Sequence, residues 1–192
     1  MKETIPLFKV FMSPTAKDKA GEVLDSGYIG QGAKVDEFEK QIGDYFGNNK
    51  VVTTNAGTSA LHLALHLLKK PKPHWNEDVF QGVAFVSHNW PGIEDGDEVL
   101  ATPLTCTASN WPIVANNMKI KWVDIDPTTL NMDLEDLERK MTPKTKAIMG
   151  VHWGGYPLDL DKIRDIRGRF RGKHGWAPAL IEDGAHAFGS KY

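Results

Sequence analysis

One cysteine, Cys106, stands in the whole chain. A lone thiol excludes an intramolecular disulfide and any cysteine-rich metal site. It fits a reducing, cytoplasmic setting. No apolar run approaches the roughly 20 residues that cross a bilayer, and Met1 to Val10 has no signal-peptide apolar core. Neither sign of charge dominates: 23 Lys and Arg face 25 Asp and Glu, for a net charge of −2. That balance leaves no footprint for nucleic acid or an anionic membrane. Internal repeats and low-complexity segments are also absent. Two common phosphate-binding signatures are missing, since the chain has neither G-K-[ST] nor G-x-G-x-x-G.

What is present is a globular balance: 192 residues, 41% hydrophobic and 25% charged, enough for one domain or a large part of one. Residues 1–12 read as an extended arm. Ser13-Pro14 reads as an N-cap with proline at the first helical position. That helix runs to about Leu24 and stops at Ser26-Gly27. Val35, Phe38, Ile42 and Phe46 recur at helical spacing and predict a second helix over 33–46 capped by Gly47. Val51-Val52-Thr53-Thr54 is β-branched throughout and predicts a short strand. Leu61, Ala64, Leu65 and Leu68 mark the next helix. Residues 71–97 are loop-like, with a short strand expected at Val83–Val86. Trp75 and Trp90 are read as a small packed cluster, with flanking a substrate as the other reading. Strands are then expected at 99–103, 120–126, 147–152 and 179–182. Helices are expected from Ala108 to about Val114, from Asp133 to Met141, and on the Leu160, Ile163, Ile166, Phe170 stripe. Strands alternating with helices predict an α/β fold: three layers, a mostly parallel sheet, and helices on both faces.

In open α/β sheets the ligand crevice lies beyond the carboxyl ends of the strands. Four strand ends here are polar or glycine-rich: Asn55-Ala56-Gly57, Thr105-Cys106-Thr107, His152 and Asp183. Convergence on one crevice is expected. After Thr54 come a tight glycine turn and a helix start bearing Thr58 and Ser59. That combination binds phosphate through free backbone N–H groups and the helix dipole; a plain Ser/Thr-capped helix is the other reading. The last strand delivers Glu182-Asp183-Gly184-Ala185-His186. A carboxylate at Asp183 can keep a ring nitrogen protonated, which pyridoxal phosphate needs as an electron sink. An ordinary turn-forming aspartate and a loop histidine are the alternative.

Eight segments in order resemble the DegT/DnrJ-type sugar aminotransferases, pyridoxal-phosphate enzymes of the aspartate-aminotransferase fold. They are Ser26–Gly32 with Val35–Glu39, Asn55–Leu61, Gly96–Val99, Thr102–Thr105, Asp124–Asp126, Thr142–Ile148, Val151–Gly155 and Glu182–His186. The resemblance implies that Asp183 pairs with the pyridinium nitrogen and that His186 lies beside the cofactor ring. It implies that Gly57, Thr58 and Ser59 cradle the phosphate of pyridoxal or pyridoxamine phosphate. Cys106 falls where many members stack an aromatic ring on the cofactor, and His152 is a substrate candidate by position. Residues 71–93 look longer than the family's usual connection.

The resemblance also implies what lies elsewhere. The Schiff-base lysine is expected beyond Tyr192, together with further sheet strands and the small C-terminal domain, so residues 1–192 alone are expected to be inactive. The division expected is 1–48 for arm and helices and 49–192 for a partial cofactor-binding domain. The implied function is transamination of a nucleotide-linked keto sugar with an amino-acid donor in the cytoplasm. A sugar dehydratase of the same family, or a non-catalytic binding module, is the alternative. A homodimer is implied, contacting through the N-terminal helices and the 28–32 loop, with a second chain as a further possible source of the missing part. The strand at Thr53-Thr54 is expected not to neighbour the strand at Leu180-Ile181, which leaves sheet edges unpaired.

Overall fold

The computed structural model describes residues 10–69 and 90–192. It divides into two compact units, Met1–Thr53 and Thr54–Tyr192. Among its described residues the first holds two helices, α1 (Ala16–Asp25) and α2 (Ala33–Phe46). α1 begins two residues later than the Ser13 cap predicts. Ser13 instead opens a turn, its carbonyl accepting from the Ala16 N–H at 3.0 Å, and Thr15 is the residue at the cap. α2 ends where expected, with Gly47 at φ 64°. Gly43 is the only residue α2 buries; a Cβ there would lie 2.9 Å from the Asn48 carbonyl oxygen.

The strand expected at Val51–Thr54 does not form. A side chain takes the place of a neighbouring strand: Glu39 Oε1 accepts from the Thr53 N–H at 2.7 Å and from its hydroxyl at 2.8 Å. The backbone donor and then the hydroxyl hold the Glu39 carboxyl below its ordinary value. β propensity alone does not decide this segment, because a strand needs a ladder partner.

The second unit is built on β1 (Glu98–Ala101), β2 (Lys119–Trp122), β3 (Thr145–Val151) and β4 (Ala179–Asp183), in spatial order β2-β1-β3-β4 and all parallel. Helices α3 (Gly57–Leu67) and α4 (Thr107–Ala115) cover one face; α5 (Leu134–Lys140) and α6 (Leu160–His174) cover the other. Strand alternation sorts the core accordingly. Val99, Ala101, Ala147, Met149, Ala179 and Ile181 pack with Leu61, Leu65 and Ile113. Leu100, Ile148 and Leu180 pack with Leu137, Ile163 and Ile166. This is the three-layer α/β architecture read from the sequence.

The helices start and stop on recognisable chemistry. Asp133 caps α5 by accepting from Glu135 N–H and Asp136 N–H, and Asp159 caps α6 by accepting from Lys162 N–H. Gly175, at φ 80°, ends α6. Two strands are shorter than expected. β1 ends at Ala101, before Pro103, which has no N–H to give a ladder. β2 ends at Trp122 because the Asp124 N–H turns to the Asp136 carboxylate at 2.8 Å, and Ile125 bridges antiparallel to Met132.

Among the described residues the strand neighbour of β4 is β3. Trp90 packs edge-on to Trp176 with ring centroids 5.6 Å apart, so it serves packing. The arm up to Lys9, Trp75 and Val83–Val86 lie outside the described residues. Among the described residues no helix is long and apolar enough to cross a membrane.

Candidate active site

β4 ends in two carboxylates that alternation sends to opposite faces. Asp183 continues the Ala179, Ile181 row and lies on the α3/α4 side; Glu182 continues the Leu180 row and lies on the α5/α6 side. Asp183 is half-buried and both oxygens are engaged. Oδ2 accepts from the Ser109 hydroxyl of α4 at 2.7 Å, and Oδ1 accepts from the Ala185 N–H at 3.1 Å. Ser109 is 1% exposed. Its oxygen also lies 2.8 Å from the Thr105 hydroxyl in the turn after β1. A carboxylate only accepts, so the single Ser109 proton goes to Asp183 and the Thr105 proton goes to Ser109. Sequence reading missed Ser109. At helical spacing it is one more residue of α4, and only the turn from β1 into α4 brings it under β4.

His152 lies beyond β3 on the other face and is buried. Its Nδ1 accepts from the Leu158 N–H at 3.0 Å, and Nε2 lies 3.1 Å from Glu182 Oε2. An accepting Nδ1 puts the proton of the neutral ring on Nε2, donating to Glu182. Both ring nitrogens are thus engaged inside the protein. The His152 N–H also donates to the Asp183 carbonyl at 3.2 Å, tying the two strand ends together.

His186 is exposed. Its Nδ1 accepts from the Gly154 N–H at 3.2 Å, and its ring meets Trp153 edge-on at 5.7 Å. The turn it rests on is fixed from behind. Asn131 is buried, accepts from the Trp153 N–H at 2.9 Å and donates to the Tyr156 carbonyl at 3.0 Å. Gly155 is required there: at φ 83°, a Cβ would stand 2.7 Å from the His186 carbonyl oxygen.

At the start of α3, Ala56 is extended and no side chain caps the first turn. Its leading N–H groups therefore have no capping side chain, and the positive end of the helix dipole lies there. A Cβ on Gly57 would meet nothing within 4 Å, so a ligand can approach the backbone. Thr58 and Ser59 are half-buried and line a groove of about 480 Å³ with His62, His66 and Trp111. Three of the four segments expected to converge are linked by hydrogen bonds: Thr105 through the Ser109 hydroxyl to Asp183, and His152 through its backbone N–H to the Asp183 carbonyl. Among the described residues, none links Gly57–Ser59 to Asp183; α3 meets β4 through Leu61, Leu65 and Ile181. Cys106 precedes α4 and is exposed. A hollow of about 760 Å³ lies elsewhere, lined by Asn131, Asp133, Tyr156 and Tyr192, and contains none of the expected site residues.

The DegT/DnrJ/EryC1/StrS aminotransferase family model matches residues 12–74 and 82–192. The chain belongs to that family. AtS13 from Actinomadura melliaura is 50% identical with a TM-score of 0.82, over 96% of this chain and 44% of that one. The sugar aminotransferase CalS13 from Micromonospora echinospora is 43% identical with a TM-score of 0.80, over 97% and 44%. Among curated relatives, GDP-perosamine synthase of Escherichia coli O157:H7 is 34% identical over 192 residues, 98% of this chain and 44% of that protein. The chain thus spans less than half the length of the relatives it matches.

Proposed function

We propose that this chain is the cofactor-holding part of a pyridoxal-phosphate-dependent aminotransferase of nucleotide-linked keto sugars. The observation that carries the reading is Asp183: a carboxylate at a strand's C-terminal end, on the α3/α4 side, oriented by two donors. The donor set suits the group. An uncapped helix start with room over Gly57 suits a phosphate, and a fixed acceptor suits a protonated ring nitrogen. When bound, pyridoxal phosphate supplies an electron sink. This chain's own residues have simpler tasks. Gly57, Thr58 and Ser59 hold the phosphate by N–H and hydroxyl donors. Asp183 accepts from the ring N–H and keeps that proton in place. His186 borders the ring, with Nδ1 occupied by Gly154 and Nε2 left to face the ligand. His152 is assigned to bracing the β3 and β4 ends, because a substrate would have to displace Leu158 N–H or Glu182 to reach its nitrogens.

The lysine for covalent attachment is assigned to the part of the relatives' length that this chain does not span, as are the amino-donor contacts. A cytoplasmic homodimer is part of the proposal. Phe11, Tyr28, Ile29 and Phe38 of the first unit are exposed, and α1 buries no side chain, which suits a partner surface. The direct test is titration of the purified protein with pyridoxamine 5′-phosphate, which needs no lysine, followed by tryptophan fluorescence. Saturable micromolar binding is expected. No saturation up to millimolar ligand would sink the reading.

A further inference from the structure

We propose that Ser109 is a positioning residue for Asp183, setting the carboxylate in the one orientation that serves a ring nitrogen. The inference rests on the cofactor reading above and adds a residue to it. The argument is one of proton direction. Thr105 lies 2.8 Å from Ser109, and Ser109 lies 2.7 Å from Asp183 Oδ2. Since Asp183 has no proton to give when ionised, the chain runs one way, from Thr105 to Ser109 to Asp183. Ser109 is 1% exposed, so water does not compete for its hydroxyl. The second oxygen is pinned by the Ala185 N–H at 3.1 Å. Two donors on different oxygens stop rotation about the Cβ–Cγ bond and leave each oxygen a free lone pair. A carboxylate held this way meets an incoming N–H donor without reorganising. Turning it freely would lose that alignment.

A serine merely filling space in α4 predicts different behaviour, and a mutant cycle separates the two. The variants are Ser109→Ala and, as a milder break in the same relay, Thr105→Val, each made in the parent and in the Asp183→Asn background. Each is titrated with pyridoxamine 5′-phosphate by tryptophan fluorescence, with circular dichroism as the folding control. The expected result is a roughly tenfold affinity loss in Ser109→Ala, the worth of a hydrogen bond to a charged group. Thr105→Val loses roughly two- to threefold. In the Asp183→Asn background both effects fall below twofold, because the hydroxyl then has no carboxylate to orient. Equal losses in both backgrounds, or no loss in Ser109→Ala, overturn the proposal while leaving the cofactor reading intact. If Asp183→Asn binds as tightly as the parent, or the parent does not bind, both fall together. If Ser109→Ala does not fold, the Thr105→Val cycle separates the same outcomes at smaller amplitude.

Discussion

Glu182 and Asp183 are neighbours on one strand, and the sheet sends them to opposite tasks. Asp183 points to the α3/α4 face and is held by a hydroxyl and a backbone N–H. Its two partners are neutral, so its negative charge remains available. Glu182 points to the α5/α6 face and faces the imidazole of His152, which is locked at its other nitrogen by Leu158 N–H. The same kind of side chain, one position apart, is a brace on one face and, in the function proposed above, a charge kept for a ligand on the other. The faces differ in the same sense. On the α5/α6 side buried charge is spent on structure: Asp136, 4% exposed, receives the Asp124 N–H and pairs with Arg139 and Lys140.

The largest effect should come from Asp183→Asn. In the proposed function Asp183 accepts from a protonated ring nitrogen, and removing its charge would weaken that charge-assisted hydrogen bond. Roughly 10- to 100-fold loss of pyridoxamine 5′-phosphate affinity is expected. The melting temperature should move little, because an amide oxygen can still accept from the Ala185 N–H. If stability falls and affinity does not, the two carboxylates do the same job and the contrast breaks.

His152→Ala is the mirror experiment. It strands the Leu158 N–H in a buried place and removes the partner of Glu182. A buried donor left unsatisfied costs about 1–3 kcal/mol, with the cavity adding to it. Urea unfolding should register this loss, while cofactor affinity stays within about twofold. A comparable fall in affinity would place His152 in the ligand site.

How much of the molecule is legible in the sequence follows the same divide. Local chemistry is readable: Gly47 closing α2, the Ile163, Ile166, Phe170 stripe of α6, and the apolar run of β4 leading to Asp183. These signals lie within a few residues of what they specify. The strand expected around Thr53 fails because its donors go to Glu39, fourteen residues earlier, and no strand pattern reports that. The long reading of β2 fails for the same reason, since Asp136 takes the Asp124 N–H. Asp183 is legible as a strand-end carboxylate, but its orienting hydroxyl is not. Ser109 is 74 residues away in the chain and is marked only by sitting on a buried turn of α4.

Acid should weaken the α5/α6 face. Burial pushes the Asp136 carboxyl up, but the Asp124 N–H, Lys140 and Arg139 together outweigh it and hold it below its ordinary 3.8. A carboxyl lowered in the folded state binds protons more weakly than in the unfolded chain. Its stabilising contribution is therefore complete above about pH 4 and disappears as pH falls through the folded value. Asp136→Asn should flatten this acid limb of the stability curve. An unchanged limb would mean that other carboxylates carry it.

The smallest effect is expected at the exposed link between α5 and α6. Arg169 donates through Nε and Nη2 to the two oxygens of Glu138, both at 2.7 Å, and that pairing holds the Glu138 carboxyl below its ordinary value. The geometry is bidentate, the strongest an ion pair offers. Yet the side chains are 56% and 45% exposed, so water and salt compete throughout. Exposed pairs are worth about 0.2–1 kcal/mol. Glu138→Gln should therefore cost less than about 1 kcal/mol in urea unfolding. Raising the salt to about 1 M, where screening acts over about 3 Å, should erase most of that difference. A larger loss that persists in salt would show that α5 and α6 are held by this surface link. The stability of that face would then not come from the buried Asp136 cluster and the core of Leu137, Ile163 and Ile166 beneath it.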